Sequence, residues 1–244
     1  LGAFAFVSLF GAVASYPIAA LSHGFNDPVL AEADHLMRFS WIDWYDVTEA
    51  HPLLQVGGRL AYKSIFLSPL VVLGYFAWSG QRAEARRFVA AFWLAAVTTL
   101  ALSLFLPAQG PLAPLWHGHG YMPSSALYQA ELIPQLRAHA VHVIEPGSLR
   151  GLVSAPSFHT ASAILFIAFA WRCRPIRWPV TILNIVMIFA TVVEGTHYLT
   201  DILGGGIVAV LAVAAVDRLC RRLAVSPSPG AVLPAAIEMP ATAA

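Results

Sequence analysis

Six apolar stretches, at about 1–21, 57–78, 88–106, 157–171, 178–193 and 198–217, dominate the chain and carry few charges between their ends. No other feature limits the fold so strongly. A helix needs roughly 20 such residues, within a range of about 17–25, to cross the hydrocarbon core of a bilayer. Inside that core every backbone polar group must be satisfied within the protein, so runs of this length are expected to be helices. The fourth and fifth stretches are short. They cross only if their helices extend into flanking polar residues or the bilayer thins locally. Of the 244 residues, 58% are hydrophobic and 11% charged, against roughly 25% charged in soluble domains. A water-soluble globule is thereby excluded. The expected fold is all-α: a polytopic membrane protein with six transmembrane helices.

The arginines orient it. Arg82, Arg86 and Arg87 fall between the second and third stretches. Arg172, Arg174 and Arg177 fall between the fourth and fifth, and Arg218, Arg221 and Arg222 follow the sixth. Basic residues of short loops stay on the cytoplasmic side, so both termini are expected inside. The opposite connections hold Arg38, Arg137 and Arg150, and the first of them is acidic, with Asp27, Glu32, Asp34, Asp43, Asp46 and Glu49. Its segment RFSWIDWYDV is expected to form an amphipathic helix lying at the membrane interface.

The other outer connection, 107–156, holds Pro107, Pro111, Pro114, Pro123, Pro134 and Pro146, and is too long for a plain connector. The expected division is a membrane domain over 1–222, containing outer loops 22–56 and 107–156, and a disordered cytoplasmic tail over 223–244. Residues 1–21 lack a basic n-region and a clear cleavage site and are expected to be a span rather than a signal peptide. The first residue is Leu1 and not Met, which leaves room for residues before it. Cys173 and Cys220 fall at cytoplasmic helix ends and are expected to be free thiols.

Chemistry gathers at two helix mouths on the outer side. APSFHTASAILF, 155–166, opens the fourth span, with Ser157 as N-cap and His159 in the first turn. GTHYLTDILGG opens the sixth, with Thr196 as its cap and His197 and Asp201 one turn apart. Helix N-termini suit anions. Two histidines facing one anion make a nucleophile and a general acid, and a carboxylate beside His197 fixes its tautomer. That is phosphoryl transfer through a phosphohistidine, and it calls for no metal or other cofactor.

Each half has a bland alternative. A lone histidine near an interface is more often structural, and a His–Asp pair four apart can be a local hydrogen bond. Two such mouths on one side favour chemistry, because ionisable groups are costly in a membrane. The zinc alternative, from His117, His119, His139 and His142, has no HExxH or cysteine pair behind it.

PSFH (156–159) and HYLTD (197–201) resemble the second and third motifs of the type 2 phosphatidic acid phosphatase superfamily, PSGH and SRxxxxxHxxxD. The resemblance covers roughly residues 50–220. It implies a six-helix phosphatase-like bundle in which His197 is the nucleophile, His159 the acid and Asp201 the partner of His197. The chain departs from the pattern at three places. Thr191 stands six residues before the histidine, where the family has arginine, and Phe158 replaces the glycine of PSGH. LFLPAQGPLAP, with no Lys or Arg, occupies the place of the first motif KxxxxxxRP. These features resemble the branch holding the aureobasidin-sensitive inositol phosphorylceramide synthases and related bacterial membrane proteins, with sphingomyelin synthases more distant.

Other cations must then meet the phosphate. Lys63 and Arg59, four apart at the outer end of the second span, are expected to reach it, followed by Arg150 and then Arg137. Ser157 caps beside it, and Phe158 narrows the pocket or meets a lipid chain. Glu194 reads as a solvated acid beside the site, and Gly204, Gly205 and Gly206 as close packing in the sixth span.

The expected protein is therefore a metal-independent lipid phosphatase or phosphotransferase in the inner membrane of a bacterium, its site facing the periplasm. Its partners are a lipid phosphate or phospholipid, membrane lipids, and water or a lipid or polyol acceptor; no nucleic acid is expected. Two alternatives stand beside it: an inositol phosphorylceramide synthase-like headgroup transferase, and a non-catalytic transporter or binder of anionic headgroups. The sequence lacks the inverted symmetry common in transporters, and its ionisable residues crowd one face of the membrane.

Overall fold

The structure, a computed structural model, describes residues 2–145 and 149–225. The expected tail beyond 225, and Pro146 of the outer loop, lie outside the described residues. Within them all regular structure is helical: α1 (Gly2–Leu21), α2 (Asp27–Leu36), α3 (Trp41–Ala50), α4 (Pro52–Lys63), α5 (Ser68–Trp78), α6 (Arg82–Ser103), α7 (Tyr128–Arg137), α8 (Phe158–Ala170), α9 (Arg177–Glu194) and α10 (Leu199–Val225). The membrane helix thus continues past the expected boundary at 222.

Six apolar helical segments stand where six spans are expected, but they are not six equal spans. Four helices, α1, α6, α9 and α10, are long and apolar enough to cross by themselves. The expected second span is broken into α4 and α5, which meet at a bend of 45°. Pro69 explains the break. Its ring would collide with the carbonyl four residues back, and it has no N–H to continue the ladder. Ser64 relieves the bared end of α4 by donating its hydroxyl to the Ala61 carbonyl at 2.6 Å. The expected fourth span, α8, has only 13 residues, about 20 Å at ~1.5 Å per residue.

Aromatic packing fixes the bundle centre. Phe88 of α6 meets Phe169 of α8 edge-on at 5.3 Å, and Val72, Phe76, Phe92, Phe166 and Met187 are buried with them. Outward, α1, α9 and α10 present Phe10, Ile182, Phe189, Ile207 and Leu211, each more than half exposed. A water-soluble protein rarely exposes such contiguous apolar faces, and lipid tails accommodate them. The protein is an integral membrane protein.

The bundle has two chemically distinct ends. At one, Arg172 bridges Glu84 at 2.7 Å and Asp217 at 2.8 Å, and Glu84 also pairs with Arg87 at 2.8 Å. The start of α6, the end of α8 and the late part of α10 are tied there, among the arginines expected on one side. At the other end the Ser157 N–H donates to the Asp201 carbonyl at 3.0 Å. Helices α8 and α10 therefore run side by side and level at both ends, with some 16 residues, or about 24 Å, between the ion pairs and the histidine motifs. Cys173 is buried and Cys220 half-buried, both as free thiols.

Gly205 lets these helices meet, since a Cβ there would overlap the Ser157 carbonyl. Its neighbours are less tight: a Cβ on Gly204 or Gly206 would come 3.3 Å from Pro156 or Ile164. Overpacking of this kind costs about 1–3 kcal/mol. Gly205→Val is expected to lower the unfolding midpoint in detergent by several degrees, whereas Gly206→Ala leaves it nearly unchanged.

Candidate active site

The two helix mouths meet, but their local structure differs from the sequence reading. Ser157 caps α8 as expected. Its backbone is extended, its side chain accepts from the Thr160 N–H at 3.4 Å, and it is fully buried. His159 follows in the first turn and is half-buried. His197 lies just ahead of α10, in the turn that ends α9, and is 2% exposed. Its Nδ1 faces Asp201 Oδ2 at 3.4 Å, and the same oxygen accepts the Tyr198 N–H at 3.2 Å. Asp201 Oδ1 is buried with no hydrogen-bond partner. Both histidines stand at the same end of the bundle, on turns joined by the Ser157–Asp201 backbone bond.

The expected Thr196 cap does not form. Thr196 has φ of 50°, and its buried hydroxyl has no partner. A stronger acceptor holds the position. Asp34, 4% exposed, takes the Leu199 N–H at 2.8 Å, the Thr200 N–H at 3.0 Å and the Thr200 hydroxyl at 2.7 Å. An ionised carboxylate on free N–H groups benefits from both hydrogen bonding and the helix dipole. The N-terminus of α10 is therefore closed to an outside anion.

Asp27, two helical turns before Asp34 on the same face of α2, does similar work. It accepts the N–H groups of Gln109 and Gly110 at 2.9–3.1 Å and the Tyr198 hydroxyl at 3.1 Å. AQG of the loop after α6 is thus drawn onto the His197 turn. Gly110 fits there at φ of 93°, where a Cβ would come 2.5 Å from the Thr196 carbonyl. Asp34→Ala bares two backbone N–H groups beside the site. It is expected to cost about 2–3 kcal/mol and to lower the unfolding midpoint by more than about 4 °C, while Asp34→Asn recovers part of the loss.

The acidic outer loop is a docking element. It forms two helices, and the expected interfacial helix lies partly inside the protein. Trp41 donates its indole N–H to the Val192 carbonyl at 2.8 Å, and Tyr45 its hydroxyl to the Tyr121 carbonyl at 2.7 Å. Both rings are buried, while Trp44 stays 40% exposed. Beside them a cavity of about 350 Å³ is lined by Trp41, Tyr45, Glu49, Trp116, His117 and His119.

Glu194 is not the expected solvated acid. It is 1% exposed and accepts from the Ser124 N–H at 2.9 Å, the Ser124 hydroxyl at 2.5 Å and the Tyr121 hydroxyl. Burial first, then the bond to Glu194, pushes the Tyr121 phenol up to about 12, so it keeps its proton and donates. The Glu194 carbonyl also accepts the Ser125 N–H at 2.8 Å. One residue thus binds the 121–125 loop across the site.

The expected cations divide. Arg59 donates to the Tyr121 hydroxyl at 3.0 Å and the Met122 carbonyl at 3.2 Å, on the rim of this loop. Arg150 donates to the Ser124 carbonyl at 3.3 Å and lies over the Tyr128 ring. Lys63 is exposed at the end of α4. Arg137 is committed elsewhere, donating to Ser22 Oγ and the Gly24 carbonyl at 2.8 Å and pinning α7 to the end of α1. Phe158 meets Phe92 of α6 edge-on at 5.4 Å and packs inward, not into the pocket. His117, His119, His139 and His142 are exposed, and among the described residues no group of three or more His, Cys, Asp or Glu could hold a metal ion.

Sequence reasoning missed Tyr62. Its ring stacks on His159 with centroids 3.9 Å apart and planes 11° apart, and its hydroxyl shares a hydrogen bond with Ser125 Oγ at 2.9 Å. It lies between Arg59 and Lys63, on the face of α4 shared with Gly58, where an added Cβ would come 3.6 Å from the Glu194 side chain. The signal was present in the four-residue spacing of Gly58 and Tyr62, a small and an aromatic residue on one face.

The family description "PAP2 superfamily" matches residues 28–215. Undecaprenyl-diphosphatase BcrC of Bacillus subtilis (strain 168) is 37% identical over 75 residues, or 30% of this chain. The match spans 38% of that relative's length. No solved structure matches.

Proposed function

This chain belongs to the PAP2 superfamily, and on that premise we propose that it is a lipid phosphatase or phosphotransferase working through a phosphohistidine on His197. The observation that carries the reading is the pair of histidine motifs held level by the Ser157–Asp201 backbone bond, with a carboxylate on Nδ1 of His197. A hydrogen bond from Nδ1–H to Asp201 leaves the lone pair on Nε2. Nε2 attacks phosphorus, the P–N bond forms as the P–O bond to the lipid breaks, and His159 gives its proton to the leaving oxygen. Water then enters, His159 takes its proton, the P–N bond breaks and phosphate departs. Arg59 and Arg150 on the loop rim, with Lys63 as a further candidate, neutralise the phosphate. His197 is nearly covered at rest, so an arriving phosphate displaces part of the 107–125 loop.

The site lies on the outer face of a bacterial cytoplasmic membrane, with the arginine end and both termini inside. About 24 Å separates the two ends, less than the ~30 Å hydrocarbon core. With the arginines at the inner boundary, the histidines therefore lie a few ångström beneath the outer headgroups, within reach of a lipid phosphate drawn into the site. An alcohol in place of water would make the same phosphoenzyme a headgroup transferase, as the likeness to the inositol phosphorylceramide synthase branch suggests. The relative's name adds undecaprenyl diphosphate to the substrates worth testing.

The purified protein should release phosphate from phosphatidic acid or undecaprenyl diphosphate and be blocked by vanadate, which mimics the pentacoordinate phosphoryl group. Phosphatidylinositol with ceramide tests transfer. Binding without turnover of any of these lipids would favour a headgroup binder instead.

A further inference from the structure

We propose that Tyr62 is the positioning residue of His159, holding the acid's ring by its face so that both ring nitrogens stay free for the proton. The inference rests on the reading of His159 as the acid given above. Three observations converge on it.

The first is the stack itself. Centroids 3.9 Å apart at 11° leave the two rings almost fully overlapped. The second is what His159 lacks: among the described residues no group hydrogen-bonds either of its ring nitrogens, whereas His197 has Asp201. A carboxylate suits a nucleophile, because it fixes which nitrogen carries the lone pair. An acid that later serves as a base must release and recover a proton, and a partner on its nitrogen would compete with the substrate. An aromatic face orients the ring without that competition.

The third is that Tyr62 is itself anchored. Its hydroxyl meets Ser125 Oγ at 2.9 Å, the Ser125 N–H donates to the Glu194 carbonyl at 2.8 Å, and Glu194 lies three residues before His197. The acid is thereby referenced to the nucleophile's own turn, through α4 and the 121–125 loop. The packing of α4 along α9 keeps the two in one frame.

The test uses leaving groups. An acid matters when the leaving oxygen is a poor one, as in phosphatidic acid, and hardly at all for 4-nitrophenyl phosphate, whose phenolate leaves unprotonated. General acids contribute about 10²–10⁴-fold. His159→Ala should slow phosphoenzyme formation, read from the pre-steady-state burst, about 100-fold or more with phosphatidic acid and under about threefold with the nitrophenyl ester. Tyr62→Leu should follow the same selective pattern at about tenfold, with KM unchanged, and Tyr62→Trp should restore most of it. Tyr62→Phe keeps the stack and cuts the anchor. It should match Ser125→Ala, and the double variant should be no worse than either single one.

Equal losses on both substrates for the Tyr62 variants, or additive losses for Tyr62→Phe with Ser125→Ala, would overturn the inference. So would full activity of Tyr62→Leu on phosphatidic acid while His159→Ala shows the selective loss. A wild-type protein that turns over neither ester sinks the parent reading instead, and this inference with it.

Discussion

His197→Ala is expected to abolish turnover of every lipid phosphate the protein accepts, by at least about 10⁴-fold in kcat, while leaving the fold intact. The size follows from the role. Without Nε2 there is no covalent intermediate, and water would have to attack the ester directly from a position that no group in the site prepares. The fold should survive because the hydrogen bond of the ring is a long one, 3.4 Å to Asp201, and the turn is held by backbone bonds to Val192 and Val193. The decisive measurement is acid-labile, base-stable radiolabel on protein quenched during turnover. Wild type should carry it and His197→Ala should not. A His159→Ala protein retains the nucleophile and should still label from 4-nitrophenyl phosphate. Label of that kind on the His197→Ala protein would disprove the assignment.

Asp201→Asn is expected to cost about 10³–10⁴-fold in kcat, although only one atom changes. A carboxylate can only accept, so it keeps the His197 proton on Nδ1. Asparagine can turn its amide NH₂ toward Nδ1, which moves the proton to Nε2 and removes the attacking lone pair. That turn gives up the long bond that Asp201 Oδ2 accepts from the Tyr198 N–H at 3.2 Å. The buried, unpartnered Oδ1 gives the amide no compensating bond. Asp201→Glu should not restore the activity, because the longer side chain has no room in a site that is 1% exposed. Nitrogen-15 shifts of His197 read the tautomer directly, and an unchanged Nε2 lone pair in the asparagine variant would remove the explanation.

Some of this was legible before any coordinates. Six apolar stretches predict helices because a bilayer admits little else, and the helices stand where the stretches do. The arginine clusters predict one common end, and three of the helix ends are tied together there by Arg172. His159, His197 and Asp201 could be named because each motif is local: a cap followed by a first-turn side chain, and a pair four residues apart. The break at Pro69 went unread in the stretch 57–78, although proline cannot continue a helix ladder whatever surrounds it.

The misread residues share a cause. Glu194 looked solvated because a glutamate beside a loop usually is, and the partners that bury it, Tyr121 and Ser124, lie about 70 residues away. Asp27 and Asp34 looked like generic loop acidity, but they cap a helix and clasp a loop that are far off in the chain. Arg150 and, after it, Arg137 both read as candidates for the phosphate, and the fold sent Arg137 to the end of α1 and Arg150 to the site's rim.

The sequence by itself determined the membrane class, the helical segments, the arginine-rich end and the candidate histidine–aspartate pair, because these follow from composition, from helical spacing and from the cost of charge in lipid. Only the tertiary structure decided which carboxylate caps α10, which arginine reaches the site and which ring holds His159. Those outcomes depend on long-range pairing, where a side chain takes the partner that packing brings within hydrogen-bond reach, and no local pattern records that choice.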